Sequence, residues 1–156
     1  MKRIVLMSMV ALALMARPAV AASITLAGNG SFTVNWLNTA TNPDLSGSAF
    51  FTVTNFSAAG FDLRIDQVAN TTALLPSINA RLVSFGFGLD PNFATVSSQV
   101  NSAEFAWGFT NFPGFGQVDV CAYSGNNCAG GGNAGLHPGE SMAVGDFMSI
   151  RFNGDF

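Results

Sequence analysis

Apolar residues recur at every second position over much of this chain, and that spacing constrains the fold more than any other feature. The segment 61–66 (FDLRID) is the clearest case, with apolar Phe61, Leu63 and Ile65 alternating with charged residues. Successive side chains of a β-strand point to opposite faces, so this segment predicts a strand with one face in a core and one in water. Similar runs lie around positions 32–36, 49–53, 83–89, 105–109 and 118–120.

Turn-forming sequences separate these runs, at positions 28–30, 42–44, 70–72, 90–92 and 130–133. Each combines residues that accept tight-turn dihedrals or interrupt a hydrogen-bonded ladder. About eight strands at this spacing predict an all-β fold, a two-sheet antiparallel β-sandwich of jelly-roll or immunoglobulin-like type. We expect residues 73–80 and 95–103 to be irregular loops, and a last, less regular strand from about Met142 to Phe152.

The N-terminus has the order of a secretory signal peptide. Lys2 and Arg3 precede a short apolar run, and small residues follow at Ala19, Ala21 and Ala22. The apolar run is shorter than the ~20 residues that a membrane-spanning helix needs. We therefore expect residues 1–21 to be a removable signal and residues 22–156 to be one β-sandwich domain, without a stable membrane span after cleavage.

The charge of residues 22–156 argues against a nucleic-acid partner. This segment has three arginines (Arg64, Arg81 and Arg151), no lysine and nine acidic residues. Proteins that bind nucleic acid neutralise phosphates with clusters of Lys and Arg, which this segment does not contain. The same deficit argues against electrostatic docking on anionic lipid.

Cys121 and Cys128 are the two cysteines of the chain, and six residues with a strong turn signal separate them. In an exported chain the expected interpretation is a disulfide, here closing the tip of a hairpin. A metal pair or a redox couple is the alternative. Metal sites usually place cysteines two to four residues apart with further Cys or His nearby, so the spacing favours the disulfide.

The sequence predicts no catalytic residue and no cofactor. His137 is the only histidine, and it precedes a proline in a turn-like sequence where a solvated side chain is the usual outcome. Glu104 and Glu140 are candidates for a pair of hydrolytic carboxylates, but their sequence contexts give no sign that they converge.

We also expect no metal site, although calcium binding is harder to exclude than catalysis. Asp44, Asp90, Asn92 and Asp119 lie in or near predicted turns, and Ca²⁺ takes oxygen ligands from loops. No fixed-spacing calcium motif is present, so solvated turn residues remain the favoured interpretation.

Two segments carry a family resemblance. Residues 85–91 (FGFGLDP) form a strand-and-turn block, and residues 118–132 (VDVCAYSGNNCAGGG) form a cysteine hairpin. Both blocks, and their order after a signal peptide and Phe-rich strands, resemble the cistern family of PEP-CTERM proteins. The resemblance covers most of the mature chain, and the cysteine block is its most specific part.

The resemblance implies an exported protein of a Gram-negative bacterium, associated with the cell surface or the extracellular polysaccharide matrix and without catalytic activity. Members of the family carry a C-terminal sorting tag with a Pro-Glu-Pro element, which this sequence lacks up to Phe156. We therefore expect either a shortened member or a fragment, with a periplasmic location if the tag is truly absent.

Two functions follow as hypotheses. The first is a structural or matrix-associated surface protein. The second is a lectin-like module that binds extracellular polysaccharide through loops or an exposed aromatic side chain such as Tyr123. The sequence does not predict an oligomeric state.

Overall fold

The computed structural model describes residues 24–39, 44–74, 80–89, 95–109, 119–128 and 134–154. Within these ranges the chain forms eight strands and no helix. The strands are β1 (Gly30–Asn38), β2 (Leu45–Ser57), β3 (Gly60–Asn70), β4 (Ser84–Phe87), β5 (Thr95–Asn101), β6 (Ala106–Gly108), β7 (Val120–Tyr123) and β8 (Phe147–Asn153). The described residues therefore include no helix that is long and apolar enough to cross a membrane.

The strands form two antiparallel sheets. The larger sheet has the order β1-β2-β3-β8-β5, and the smaller has the order β4-β7-β6. The first three strands form a meander of consecutive hairpins, whereas β8, the last of the described strands in chain order, lies between β3 and β5. The prediction of an all-β, two-sheet antiparallel sandwich with about eight strands is confirmed.

The sheets pack face to face through aromatic side chains. The ring of Phe87, on the smaller sheet, lies 6.2 Å from that of Phe51 and 6.3 Å from that of Phe152, both on the larger sheet. The indole N–H of Trp107 donates across the interface to the backbone oxygen of Ser149 at 3.2 Å. The core therefore lies between the sheets and is formed by the inward halves of the alternating strands, as the spacing of apolar residues predicts.

A bulge changes the phase of this alternation in the β2–β3 hairpin. Gln67 and Val68 of β3 together lie opposite Ala49 of β2. Gln67 has a φ of 51°, an uncommon conformation for a residue with a side chain. As a result, the residue buried after Ile65 is Val68, and Gln67 is exposed.

Two boundary predictions are wrong. Residues 95–103 were expected to be irregular, but β5 occupies most of this segment and pairs with β8 over all seven residues from Thr95 to Asn101. The strand is polar and almost wholly exposed, because it lies at the end of the sheet and needs little apolar alternation. Strand β8 starts later than expected, at Phe147, because a turn with Gly145 at a φ of 95° follows Met142. Most of the other expected loop, residues 75–79, lies outside the described residues.

Candidate functional site

A disulfide joins Cys121 and Cys128, in agreement with the prediction, with a Cα–Cα distance of 6.1 Å. Cys121 is the second residue of β7 and pairs with Gly86 of β4 on one side and Gly108 of β6 on the other. Both cysteines are buried. The neighbours of Cys121 in β7, Val120 and Ala122, belong to the core, so Cys121 points to the outer face of the smaller sheet. The disulfide lies there between two positions that carry no side chain.

The glycine at position 108 makes room for the sulfur atoms. A Cβ atom there would lie 2.9 Å from the Sγ of Cys121 and closer still to the Sγ of Cys128. The ring of Tyr123 is 3.3 Å from the same point and is partly buried. Tyr123 thus packs near Gly108, the residue whose missing side chain leaves space for the sulfur atoms.

The candidate catalytic residues of the sequence lie in two turns, one with His137 and Glu140 and the other with Glu104. The backbone N–H of His137 donates to Oε2 of Glu140 at 2.7 Å, and the backbone N–H of Glu140 donates to the oxygen of His137 at 2.9 Å. Glu104 lies in a different turn, where Oε2 accepts from the hydroxyl of Ser102 at 3.2 Å. These carboxylates stabilise their own local turns, so their contacts are structural.

Of the calcium candidates, Asp119 stabilises the end of β4. Its Oδ2 accepts the backbone N–H of Leu89 at 2.8 Å. Asp44 is exposed at the start of β2, whereas Asp90 and Asn92 lie outside the described residues, as do the expected cleavage residues Ala19, Ala21 and Ala22. Among the residues that are described, no group of three or more His, Cys, Asp or Glu side chains is placed to hold a metal ion.

A buried amide, which the sequence marks only as part of a turn, connects distant loops. The Nδ2 of Asn70 donates to the oxygens of Leu136 at 2.9 Å and of Ala80 at 3.4 Å, while its Oδ1 accepts the N–H of Thr72 at 3.1 Å. Asn70 is 3% exposed. Its side chain therefore satisfies backbone groups that have little access to water.

The backbone around Asn70 extends this network. The N–H of Asn70 donates to the oxygen of Glu140 at 2.9 Å, and its oxygen accepts the N–H of Gly139 at 2.8 Å. On the other side, the hydroxyl of Thr72 accepts the N–H of Ser46 at 2.9 Å and donates to its oxygen at 3.1 Å. The segment 70–72 thereby holds the 136–140 turn against the start of β2.

A groove of about 550 Å³ lies on the outer face of the larger sheet, and we call it the outer groove. Its floor is formed by β2 and β3, and its wall by the loop between Ser141 and Asp146. The lining residues are Ser48, Phe50, Asp66, Gln67, Ala69, Ser141, Met142, Ala143, Val144, Gly145 and Asp146. The sequence alone does not indicate this groove, because the wall comes from a loop more than seventy residues away from Phe50.

Specific contacts hold the wall in place. Ser141 forms an isolated bridge with Ala69, and the N–H of buried Met142 donates to the oxygen of Val68 at 2.8 Å. At the far end, Oδ2 of Asp146 accepts the N–H of Ala103 at 3.4 Å. The loop is therefore fixed to β3 at its start and to the segment after β5 at its end, so the groove is largely pre-formed.

The groove combines an aromatic ring with hydrogen-bonding side chains. Phe50 points away from the core and is half-buried, while Gln67 is exposed at the bulge described above. The guanidinium of Arg64 holds the Asp66 carboxylate, with Nε at 3.0 Å from both oxygens. Arg64 in turn lies over the ring of Phe147, 3.9 Å from its centroid. This arrangement fixes the orientation of one carboxylate of the groove.

Comparisons with known proteins give no relative. No protein-family model, no curated protein and no solved structure matches the chain.

Proposed function

We propose that the protein is an exported, non-catalytic structural protein of a Gram-negative bacterium, associated with the cell surface or extracellular matrix. The supporting observation is the use of its reactive side chains. The carboxylates of Glu140 and Glu104 make hydrogen bonds within local turns, and that of Asp119 accepts the N–H of Leu89, thirty residues away. The two cysteines are closed in a buried disulfide. Such contacts stabilise a sandwich and leave these groups without a common reacting centre.

The proposal includes the family and the location. The cysteine hairpin (118–132) and the strand-and-turn block (85–91) are the basis for proposing a cistern-type PEP-CTERM protein with a cleaved signal at residues 1–21. The disulfide supports export, because disulfides persist in oxidising compartments such as the periplasm and the cell surface.

Cell fractionation with an antibody tests the location. We expect the processed chain in the surface, matrix or periplasmic fraction, with an N-terminus at or near Ala22 by mass spectrometry. A periplasmic marker and a cytoplasmic marker serve as controls. Recovery of the unprocessed chain with the cytoplasmic marker would rule the proposal out.

A second function, a lectin-like polysaccharide-binding module, is favoured by the outer groove. Sugar rings present apolar C–H faces that pack on aromatic rings, and hydroxyls that pair with carboxylates and amides. Phe50 supplies the ring, and Asp66, Gln67 and Asp146 supply the polar groups. Arg64 balances the charge of Asp66, so Asp146 supplies the remaining negative charge of the groove. This charge disfavours an anionic polymer, so the ligand class is a neutral polysaccharide.

Binding of the host's extracted neutral polysaccharide, measured by fluorescence with labelled polymer, tests this second function. We expect Phe50→Ala to weaken binding roughly tenfold, as for a central aromatic contact. Phe109→Ala is the matched control, since Phe109 is an aromatic residue with 43% exposure that does not line the groove. Equal effects of the two substitutions, or no saturable binding, would exclude the groove as a lectin site.

A further inference from the structure

Strand β5 (Thr95–Asn101) has a free side in the described part of the protein. It pairs with β8 through seven consecutive residues without a register shift, and it is the last strand in the order of the larger sheet. An edge strand presents unpaired N–H and C=O groups to solvent on its outer side. Proteins usually protect such an edge with charged side chains, proline or a bulge. Strand β5 has none of these three features.

The sequence of β5 is symmetric in polarity about its middle residue. It reads TVSSQVN, so that Val96 and Val100 lie at equal distances on either side of Ser98, and all other positions are polar and uncharged. An antiparallel pair of two identical strands is related by a two-fold axis. The axis places each residue of one copy opposite the residue of the other copy that lies equally far on the other side of the central residue. A symmetric polarity pattern therefore places apolar residues opposite apolar residues in such a pair.

We propose that β5 is a strand-addition surface for a second copy of this chain, paired antiparallel about Ser98. In this register Ser98 lies opposite its own copy and Val96 lies opposite Val100 of the second copy. The two five-stranded sheets then continue into one ten-stranded sheet across the axis.

The side-chain environment of β5 supports this register. Val96 and Val100 pair with Phe152 and Met148 of β8, so their side chains point to the same face as the core. Val100 is nevertheless 38% exposed. Pairing about Ser98 gives Val100 an apolar cross-strand neighbour on its open side, a type of contact that stabilises sheets.

The other edge of the sheet, β1 (Gly30–Asn38), is less suited to this role. Its inward residues Phe32, Val34 and Trp36 already pack against the core. The Phe32 ring stacks on Phe51 at 5.1 Å, and the Trp36 ring lies 5.2 Å from Phe85. Self-pairing of β1 would therefore give these side chains little additional apolar contact.

Sedimentation equilibrium of the exported, purified protein tests the proposal. One short edge buries less area than a standard interface, so we expect a weak dimer whose population rises over a roughly hundredfold range in concentration. Hydrogen exchange should show greater amide protection of residues 95–101 at the high end of this range. No added protection of residues 98–100, or a monomer throughout, overturns the proposal.

A lysine at the axis provides the sharper test. Ser98→Lys places two like charges directly opposite each other, and we expect the dimer dissociation constant to rise at least about tenfold. Added salt should partly restore the dimer, because it screens this repulsion. Thr33→Lys is the matched control: it adds the same charge at an exposed position of the other edge strand.

The outcomes are distinct. A dimer that is lost in Thr33→Lys but retained in Ser98→Lys would move the interface to β1 and overturn the proposal. Circular dichroism checks that each variant is folded. If Ser98→Lys is unfolded, Gln99→Lys replaces it. Gln99 is exposed on the outer face of the same strand, and across the axis it lies diagonal to Gln99 of the second copy.

Discussion

The side chain of Asn70 offers a direct measure of how much the loop network contributes to stability. Replacement by alanine removes the donor to the Leu136 oxygen and the acceptor of the Thr72 N–H. The Leu136 oxygen keeps the backbone N–H of Leu82 as a donor, at 2.9 Å. Thr72 is 4% exposed, and its N–H has no second acceptor among the described residues, so this group gains no ready access to water. An unsatisfied buried polar group costs about 1–3 kcal/mol. With one such group, we expect Asn70→Ala to lower the free energy of unfolding by about 2 kcal/mol.

Equilibrium urea unfolding, followed by tryptophan fluorescence, measures this loss from the shift in midpoint at constant slope. The matched control is Asn35→Ala, the same substitution at an exposed position of β1, which we expect to change stability by less than about 0.5 kcal/mol. A domain of this size is stable by about 5–15 kcal/mol, so the expected loss is readily measured.

Hydrogen exchange separates a global effect from a local one. The N–H groups of Gly139 and Glu140 report on the turn that Asn70 holds, and we expect faster exchange of both in Asn70→Ala. A loss of less than about 1 kcal/mol together with unchanged exchange in this turn would refute the reasoning. It would mean that water or a new partner satisfies the N–H of Thr72.

The remaining predictions concern the disulfide, its neighbouring glycine and the bulge. The double substitution of Cys121 and Cys128 by serine should lower the free energy of unfolding by about 2.5 kcal/mol, from the loop-closure entropy of a short loop, and a reducing agent should then have no further effect on urea unfolding. Gly108→Ala should lower the free energy of unfolding by about 1–3 kcal/mol, because the added Cβ meets the sulfur atoms. The control Gly30→Ala has open space at its Cβ position and should lower it by less than about 1 kcal/mol. Equal losses would contradict the packing at the disulfide. Gln67→Gly should leave the free energy of unfolding unchanged or raise it by up to about 1 kcal/mol, since glycine accepts a positive φ without strain. A clear loss would show that the Gln67 side chain makes a stabilising contact.

The strands that face the core were predictable from sequence, because burial on one face imposes a period of two. Phe61, Leu63 and Ile65 illustrate this, as all three are buried as expected. The predicted alternation ends where the bulge begins, since a left-handed residue such as Gln67 leaves no reliable mark in the sequence. Strand β5 was missed for a related reason: an edge strand with one half-buried valine has almost no apolar pattern.

The features that were not predictable depend on contacts between distant segments. The turn at residues 70–72 was predicted, but the sequence does not show that Asn70 bonds to Leu136, sixty-six residues away. The outer groove likewise exists because the loop before β8 folds over β2 and β3. The proposed lectin-like function therefore rests on long-range geometry, while the fold class rests on local pattern.

The position of β8 has a consequence for how the domain can form. Phe147–Asn153 fills the gap between β3 and β5, so the larger sheet stays in two pieces until this late segment of the polypeptide is available. Such non-local pairing slows folding and keeps the unfinished chain open for longer. If the protein is exported as proposed, this order of assembly suits a translocation machinery that accepts only unfolded substrates, because the residues before β8 cannot complete the larger sheet.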